Sequence, residues 1–309
     1  MATSMAVGQS TTDAKNLKRL IQQHPLFFYY FLAYAISWIV FIPYLLAERG
    51  IMPGNYNLFF YTLHTFGPAL AAVIMTAIIA GKAGLDELRQ RIRQWRAPWQ
   101  WYLFILLGIP ALVLLGIILQ PGALAGFHDL TPLLLVGYPF YFVATFFGGG
   151  PLGEEVGWRG FALPRMQKQY GPLWGTLLLG ILWSCWHLSD FLTASKGGGQ
   201  GTGWATFLIN FPVFTLSVVS LTIMMTWIYN HTGGSIFTAI LAHTSVNILE
   251  VLLIPRYLNL DEISLHRALL IGFGVVALLI LILTRGRLGY QVGQEQPMKL
   301  DEIEVSPIR

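Results

Sequence analysis

The chain has 309 residues, of which 55% are hydrophobic and only 11% are charged. Soluble domains carry roughly a quarter charged residues, so this composition excludes an ordinary soluble protein and indicates an integral membrane protein. The net charge of +4 comes from a few short loops, and the sequence has no nucleic-acid-binding motif, so no nucleic-acid partner is expected. The single cysteine, Cys185, excludes a disulfide within the chain.

Apolar segments recur along the whole length, which predicts an all-α polytopic membrane protein with about eight transmembrane helices and its reactive residues within the bundle. The predicted spans are 26–46, 58–80, 99–119, 132–163, 172–190, 204–229, 235–254 and 266–284. Residues 1–25 are expected to form a polar, disordered tail, residues 26–284 the membrane domain, and residues 285–309 a cytoplasmic C-terminal tail. The first apolar run is long enough to span a bilayer, so we interpret it as a retained helix rather than as a signal peptide.

The distribution of basic residues predicts the orientation in the membrane. Lysine and arginine are concentrated before span one and after spans two, four and eight, whereas the loops after spans one, three and five contain few of them. By the positive-inside rule, this alternation places both termini in the cytoplasm. The segment 84–96 fits either a solvated loop or an amphipathic helix at the membrane interface, and we favour the loop.

The sequence Pro151–Phe161 places three ionisable residues, Glu154, Glu155 and Arg159, at the end of a long apolar run. A charged side chain at the bilayer centre costs about 2.5–3.5 kcal/mol on insertion scales, so three of them within six residues require an explanation. On a helix Glu155 and Arg159 lie at i and i+4 and can form an ion pair. Glu154 points about 100° away from Glu155, so it is left to face another group.

Chain geometry predicts which residues share the depth of Glu154. Span four is too long for a hydrocarbon core of about 30 Å, so it must tilt, protrude or break at its Gly-Gly-Gly-Pro sequence. Spans four and five should form a hairpin that turns near Gly171, with Glu154 and His187 at similar distances from the turn. His243 and Asn247 lie at i and i+4 on span seven. We therefore expect these four side chains to converge within the membrane.

Three motifs in this order resemble those of the CPBP family, the CAAX-protease and bacteriocin-processing (Abi) family of intramembrane proteases. They are Glu154-Glu155-x-x-x-Arg159, Trp183-x-x-x-His187 and His243-x-x-x-Asn247. The likeness covers the eight-span core, roughly residues 26–284. The second motif of the family usually has Phe four residues before its histidine, whereas this chain has Trp183, another aromatic residue.

The resemblance implies an endopeptidase whose site is reached from within the bilayer of a bacterial or archaeal plasma membrane. Prenylated CAAX ends are the substrates of the family's eukaryotic branch, so the implied partners are membrane lipid and a peptide or lipidated protein. Glu154 would be the general base that activates a water, and His187 would help to hold that water. His243 and Asn247 would form the oxyanion hole, and the ion pair of the first motif would orient the base.

The same residues also raise the question of a metal. Glu154, His187 and His243 could supply Zn²⁺ with three protein ligands and an open position, as catalytic zinc sites do. The sequence has no HExxH helix, however. We favour a metal-free glutamate mechanism without a cofactor and keep Zn²⁺ or another divalent metal as the alternative.

Each candidate residue also has a structural interpretation. Glu154 could be the second acid of a structural network, the two motif histidines could be packing residues, and Asn247 could make an interhelical hydrogen bond. Cys185 and Trp158 are interpreted as packing residues. Asp190 lies at i+3 from His187 and fits either a residue that orients its ring or a polar residue at the end of a span, and we favour the second. The remaining histidines are assigned to loops, interfaces or the lipid edge: His24, His64, His128, His231 and His266.

Two other function classes compete with the protease. One is a non-proteolytic bacteriocin-immunity or membrane-regulatory protein on the same fold, and a Glu154→Gln variant would discriminate it from an enzyme. The other is a transporter, which the interrupted helix before Glu154 would suit. Transporters usually show paired interruptions in an inverted repeat, and the sequence has only one clear interruption, so this class ranks last.

Overall fold

The described residues form helices and no strands, so the predicted all-α class is confirmed for this part of the chain. The computed structural model describes residues 15–53, 57–122, 132–148, 150–193, 204–249, 260 and 262–291. Of the predicted tails, residues 1–14 and 292–309 lie outside the described residues. Residues 15–23 form a helix, so the predicted disorder is wrong for that part of the N-terminal tail.

We number the helices in chain order. They are α1 (Pro25–Glu48), α2 (Asn57–His64), α3 (Gly67–Ile92), α4 (Trp99–Leu103), α5 (Ile109–Ile118), α6 (Pro132–Gly148), α7 (Pro151–Gly157), α8 (Leu163–Trp186), α9 (Trp204–His231), α10 (Ile236–Ile248) and α11 (Glu262–Thr284). Two π-helical turns, Phe104–Gly108 and Trp158–Ala162, join α4 to α5 and α7 to α8. A 3₁₀ turn, His187–Leu192, follows α8.

Five helical segments in the described part of the chain are long and apolar enough to cross a membrane, which confirms a polytopic membrane protein. They are Pro25–Glu48, Thr62–Ile92, Trp99–Ile118, Phe207–His231 and Ile263–Thr284. The apolar helices Val136–Gly148 and Ile236–Ile248 are shorter and correspond to parts of predicted spans four and seven. Of the three alternatives for predicted span four, the structure shows the break, because α6 ends at Gly148 and α7 begins at Pro151.

Gly150 and Pro151 set the start of the helix that carries the two glutamates. Gly150 has a φ of 101°, a conformation that residues with a Cβ rarely adopt. Pro151 then occupies the first turn of α7, where its missing N–H leaves no bond unmade. The Gly150 carbonyl accepts the first helical bond from the Glu154 N–H at 2.9 Å. The glutamates therefore lie in the first turns of a new helix, not in the middle of a long one.

Two glycines allow α7 to pack directly against the start of α3. A methyl group on Gly153 would lie 2.5 Å from the Thr65 carbonyl oxygen, and one on Gly157 would lie 2.5 Å from the Pro68 Cβ. This i, i+4 spacing of small residues is typical of close helix contacts in membranes. The close approach buries the glutamate helix within the bundle, because no larger residue fits between the two backbones.

The described core is rich in aromatic residues around α7, α8 and α1. Trp158 makes edge-to-face contacts with Tyr29 and Trp186, and all three are buried. Helix α1 also binds the C-terminal end of α8, because Trp38 Nε1 donates to the Trp186 carbonyl at 2.9 Å. Tyr34 donates its hydroxyl hydrogen to the Leu182 carbonyl. These bonds satisfy carbonyls that a helix end leaves unpaired and fix the point where His187 begins.

The C-terminal half of α3 is a helix rather than the loop that we favoured from the sequence. The backbone kinks at Gly81, which has a φ of 60°, and then continues as a helix to Ile92. Leu88 is buried on this second half and packs with Val156 of α7 and Ile236 of α10. The charged residues around it occupy the other faces, which is the amphipathic pattern that the alternative prediction described.

Candidate active site

The first of two adjacent carboxylate sites is a buried ion pair. Arg159 Nη1 donates to Glu155 Oε1 at 2.8 Å, and both side chains are fully buried. The pairing at i and i+4 is the one expected from the sequence. His243 of α10 also contacts Glu155 Oε1, through Nδ1 at 2.9 Å. Because an ionised carboxylate only accepts hydrogen bonds, His243 Nδ1 is the donor.

Arg159 needs this environment because a lone buried guanidinium would be very costly. Glu155 offsets its charge, and the Trp183 ring lies under its Cζ atom at 4.7 Å, a cation–π contact. Nε and Nη2 of Arg159 have no hydrogen-bond partner among the described residues. The pair therefore links α7, α8 and α10 at one level of the bundle, with Arg159 and His243 both bound to Glu155 Oε1.

Glu154 faces a different group of residues, as the 100° offset predicted. Its side chain is 4% exposed, and Trp183 Nε1 donates to its Oε2 at 2.7 Å. His187 Nε2 lies 3.9 Å from the same oxygen. This separation is too long for a hydrogen bond, but a water with two bonds of about 2.8 Å fits between the two atoms.

Trp183 is a site residue whose role the sequence did not reveal. The family resemblance marked it only as an aromatic substitution for Phe. A phenylalanine would fill the space but has no N–H to donate, so the bond to Glu154 is particular to tryptophan. The indole also packs edge-on against His243 with ring centroids 5.2 Å apart. One side chain thus contacts the carboxylate, the arginine and a candidate oxyanion residue.

His187 starts the 3₁₀ turn after α8 and is the most exposed of the site side chains, at 18%. Its Nδ1 lies 2.8 Å from Asp190 Oδ2. We expected Asp190 to be a polar residue at a span end, and the structure corrects this: its side chain is 2% exposed and bonded to the histidine. The i, i+3 spacing was visible in the sequence, but the burial of the aspartate was not.

His64 is a second correction. We assigned it to a loop, interface or lipid edge, but its side chain is only 1% exposed. Its Nε2 lies 3.5 Å from Asp190 Oδ1, and its ring stacks on Trp186 at a centroid distance of 5.2 Å and an angle of 11°. Nothing in the local sequence pairs α2 with the end of α8, because this contact arises only when α2 and α8 come together in the bundle.

Asn247 lies near the other oxygen of Glu154. A methyl group on Gly150 would be 2.7 Å from Glu154 Oε1 and 3.7 Å from Asn247 Nδ2, so both atoms border the same small space. Asn247 and His243 are one turn apart on α10. Glu154, His187, His243 and Asn247 thus lie around one centre, with Trp183 between them.

The donors do not form a ready three-ligand zinc site. No group of three His, Cys, Asp or Glu side chains among the described residues has the spacing that holds a metal. His243 Nδ1 donates to Glu155, so of its two ring nitrogens only Nε2 is left as a possible ligand. We therefore derive no step of the reaction through a metal.

Arg91, at the C-terminal end of α3, binds the helical turn that follows the two glutamates. Its Nη1 donates to the Gly160 carbonyl and its Nη2 to the Arg159 carbonyl, each at 3.1 Å. Nη2 also donates to the Tyr229 hydroxyl, and Nε to the Gly234 carbonyl at 3.4 Å. A π-helical turn changes the i→i−4 pattern, and Arg91 binds two of its carbonyls. From the sequence Arg91 was one of several topogenic cations.

Most of the other residues that the sequence analysis singled out are packing residues in the structure. Trp158 is a core residue, and Cys185 is a partly buried free thiol. His266 is buried against Phe214, so its assignment to a loop, interface or lipid edge is corrected to the core. His128 lies outside the described residues.

Fold and site together define an all-α polytopic membrane protein with a buried carboxylate–histidine–asparagine centre. Residues 136–249, which contain all three motifs, match the family model described as Type II CAAX prenyl endopeptidase Rce1-like. The chain is also similar to CAAX prenyl protease 2 of Methanococcus maripaludis, with 30% identity over 159 residues. This match covers 48% of the chain and 55% of that relative, so the chain spans about half the length of the curated relative. The two comparisons support the resemblance to the CPBP family that the three motifs indicated.

Proposed function

We propose that this protein is an intramembrane endopeptidase of the CAAX-protease type, which hydrolyses a peptide bond in a membrane-associated substrate. The observation that carries the proposal is the separation of the two glutamates. Glu155 is bound by Arg159 and His243, whereas Glu154 Oε2 lies 3.9 Å from His187 Nε2, a separation that one water can bridge. A base that is not consumed by a cation is what hydrolysis by an activated water requires.

The proposed reaction uses Glu154 as general base. His187 holds the water while Glu154 takes a proton from it, and the water oxygen attacks the carbonyl carbon of the scissile bond. Glu154 then gives the proton to the leaving amine as the tetrahedral intermediate collapses. The reaction consumes one water for each peptide bond that is cleaved, and it forms one carboxylic acid and one amine.

His243 and Asn247 are the proposed donors to the oxyanion. Each such donor contributes about 10²–10³-fold in kcat in a known protease. The Asn247 amide can donate in any state. His243 already uses Nδ1 to donate to Glu155, so its Nε2 donates only when the ring carries both protons.

The substrate follows from the family match. The relative's name and the family model both specify CAAX prenyl substrates, so we propose a peptide with a prenylated C-terminal CAAX sequence that enters from the lipid. We also propose a bacterial or archaeal plasma membrane with both termini in the cytoplasm, based on the loop charges. The mechanism we propose needs no metal cofactor, and activity that survives chelation supports this, whereas loss restored by stoichiometric zinc contradicts it.

A reconstituted assay tests the proposal. The protein is placed in liposomes with a farnesylated fluorogenic CAAX peptide, and the same peptide without the lipid is the comparison. Glu154→Gln should lower kcat at least about 100-fold, the lower end for general acid–base catalysis, with the protein still folded. Glu87→Gln on the cytoplasmic half of α3 is the matched control and should cleave normally. Wild-type turnover by Glu154→Gln would favour the non-proteolytic immunity or regulatory function.

A further inference from the structure

A second carboxylate–histidine contact lies behind His187, and the proposed reaction has not used it. Asp190 lies between two histidines, with Oδ2 2.8 Å from His187 Nδ1 and Oδ1 3.5 Å from His64 Nε2. Asp190 and His64 are almost fully buried, at 2% and 1% side-chain exposure. Buried ionisable groups in a membrane protein are costly and are retained mainly where they serve a function.

The contact fixes the direction of the hydrogen bond. An ionised carboxylate can only accept, so the Asp190 bond holds the proton of a neutral His187 ring on Nδ1. His187 Nε2 then presents a lone pair toward Glu154 Oε2, and both atoms are acceptors. A water between them donates one hydrogen to each, and its oxygen lone pairs are left to attack a carbonyl.

The position of Asp190 is itself fixed by its surroundings. Its carbonyl accepts from the Thr193 N–H at 3.0 Å and from the Thr193 hydroxyl at 2.6 Å, which closes the 3₁₀ turn. The His64 ring stacks on Trp186, and the His64 carbonyl accepts from Ser37 Oγ at 2.8 Å. His64 Nε2 therefore faces the second Asp190 oxygen from α2.

We propose that Asp190 is a positioning residue that fixes the Nδ1–H tautomer of His187. His64, whose Nε2 faces Asp190 Oδ1, helps to keep the Asp190 side chain in place. The inference rests on the proposed function, in which His187 holds the attacking water. In serine proteases, replacing the aspartate behind the catalytic histidine by asparagine lowers kcat about 10⁴-fold, because the histidine adopts the wrong tautomer.

Asp190→Asn tests the proposal. The amide keeps the shape of the side chain but can donate to Nδ1, so His187 would place its proton on Nε2 and lose the lone pair that accepts from the water. We expect kcat to fall at least about 100-fold with KM within about threefold of the wild type, by analogy with the serine protease case. His64→Phe keeps the ring stack and removes the imidazole nitrogen that faces Asp190 Oδ1, so it should lower kcat less, by about three- to tenfold. Ser189→Ala, in the same turn, is the control and should behave as wild type.

Nitrogen NMR of the ¹⁵N-histidine-labelled protein gives a readout that does not depend on cleavage. His187, assigned with a His187→Gln variant, should show the Nδ1–H tautomer in the wild type and the Nε2–H tautomer in Asp190→Asn. An Nε2–H tautomer in the wild type overturns the inference. A rise in KM or a loss of thermal stability in Asp190→Asn that accounts for the lost activity also overturns it. If the wild type shows the expected tautomer but cleaves no lipidated peptide, the proposed function fails and the tautomer assignment stands. If Asp190→Asn does not fold, the wild-type tautomer and the His64→Phe kinetics decide the question.

Discussion

Replacing Arg91 by alanine should weaken the whole site without touching a reacting group. Arg91 donates at 3.1 Å to each of two carbonyls of the π-helical turn that follows the glutamates. Hydrogen bonds from a charged donor contribute about 1.5–3 kcal/mol each, and Arg91 is partly exposed, so we expect a combined loss of about 2–4 kcal/mol. In a chain of 309 residues the entropy of unfolding is about 0.65 kcal/mol/K, so this loss lowers the unfolding temperature by roughly 3–6 °C. Cleavage of the farnesylated peptide should also fall, because the turn sets the direction of the Arg159 side chain.

Two variants, Arg89→Ala and Arg91→Lys, provide the comparisons for this prediction. Arg89 is exposed on the same helix segment, so Arg89→Ala should leave the unfolding temperature unchanged. Arg91→Lys keeps the charge but loses the planar fork, so it should lie between the wild type and Arg91→Ala. Thermal unfolding is measured in nanodiscs at one fixed scan rate, because membrane proteins commonly unfold irreversibly. An Arg91→Ala protein within about 2 °C of Arg89→Ala would refute the reasoning.

Three further substitutions test single contacts. Gly157→Ala should destabilise the protein by about 1–3 kcal/mol in thermal unfolding, because its methyl group would overlap the start of α3. Gly274→Ala, in the middle of α11 with only ordinary contacts at its Cβ position, should be neutral or stabilising by up to about 1 kcal/mol. Trp183→Phe removes the 2.7 Å bond to Glu154 and should lower kcat/KM by about 10–100-fold, the equivalent of a charge-assisted bond, with little change in unfolding temperature. Asn247→Ala should lower kcat about 10²–10³-fold at constant KM, and an equal rise in KM would argue for a binding role instead.

Local periodicity accounts for the part of the site that the sequence predicted. The pairing of Glu155 with Arg159, and the different direction of Glu154, depend only on 3.6 residues per turn. The break before Pro151 depends only on the length of span four against the bilayer. These features need no knowledge of neighbouring helices, so a single sequence was sufficient for them.

The contacts that the sequence did not predict all join elements that are distant in the chain. His64 reaches Asp190 from α2, and Arg91 reaches the π-helical turn from α3. No motif spacing relates these positions, and the π-helical turn itself shifts the register in a way that a regular helical wheel does not show. The sequence showed that Trp183 replaces the phenylalanine of the family motif. Its role depends on the orientation of the indole, which directs its N–H toward Glu154.

The separation of the two glutamates also explains why a motif with two adjacent carboxylates suits a buried hydrolytic site. A buried arginine needs a carboxylate, and that carboxylate is then unavailable for proton transfer. Among the described residues Glu154 has no arginine or lysine within ion-pair distance, only an indole N–H and the His187 ring. Glu155 therefore carries the structural charge so that its neighbour remains free to accept a proton. Exchanging the roles would require rotating α7 by about 100°, which the close contacts at Gly153 and Gly157 prevent.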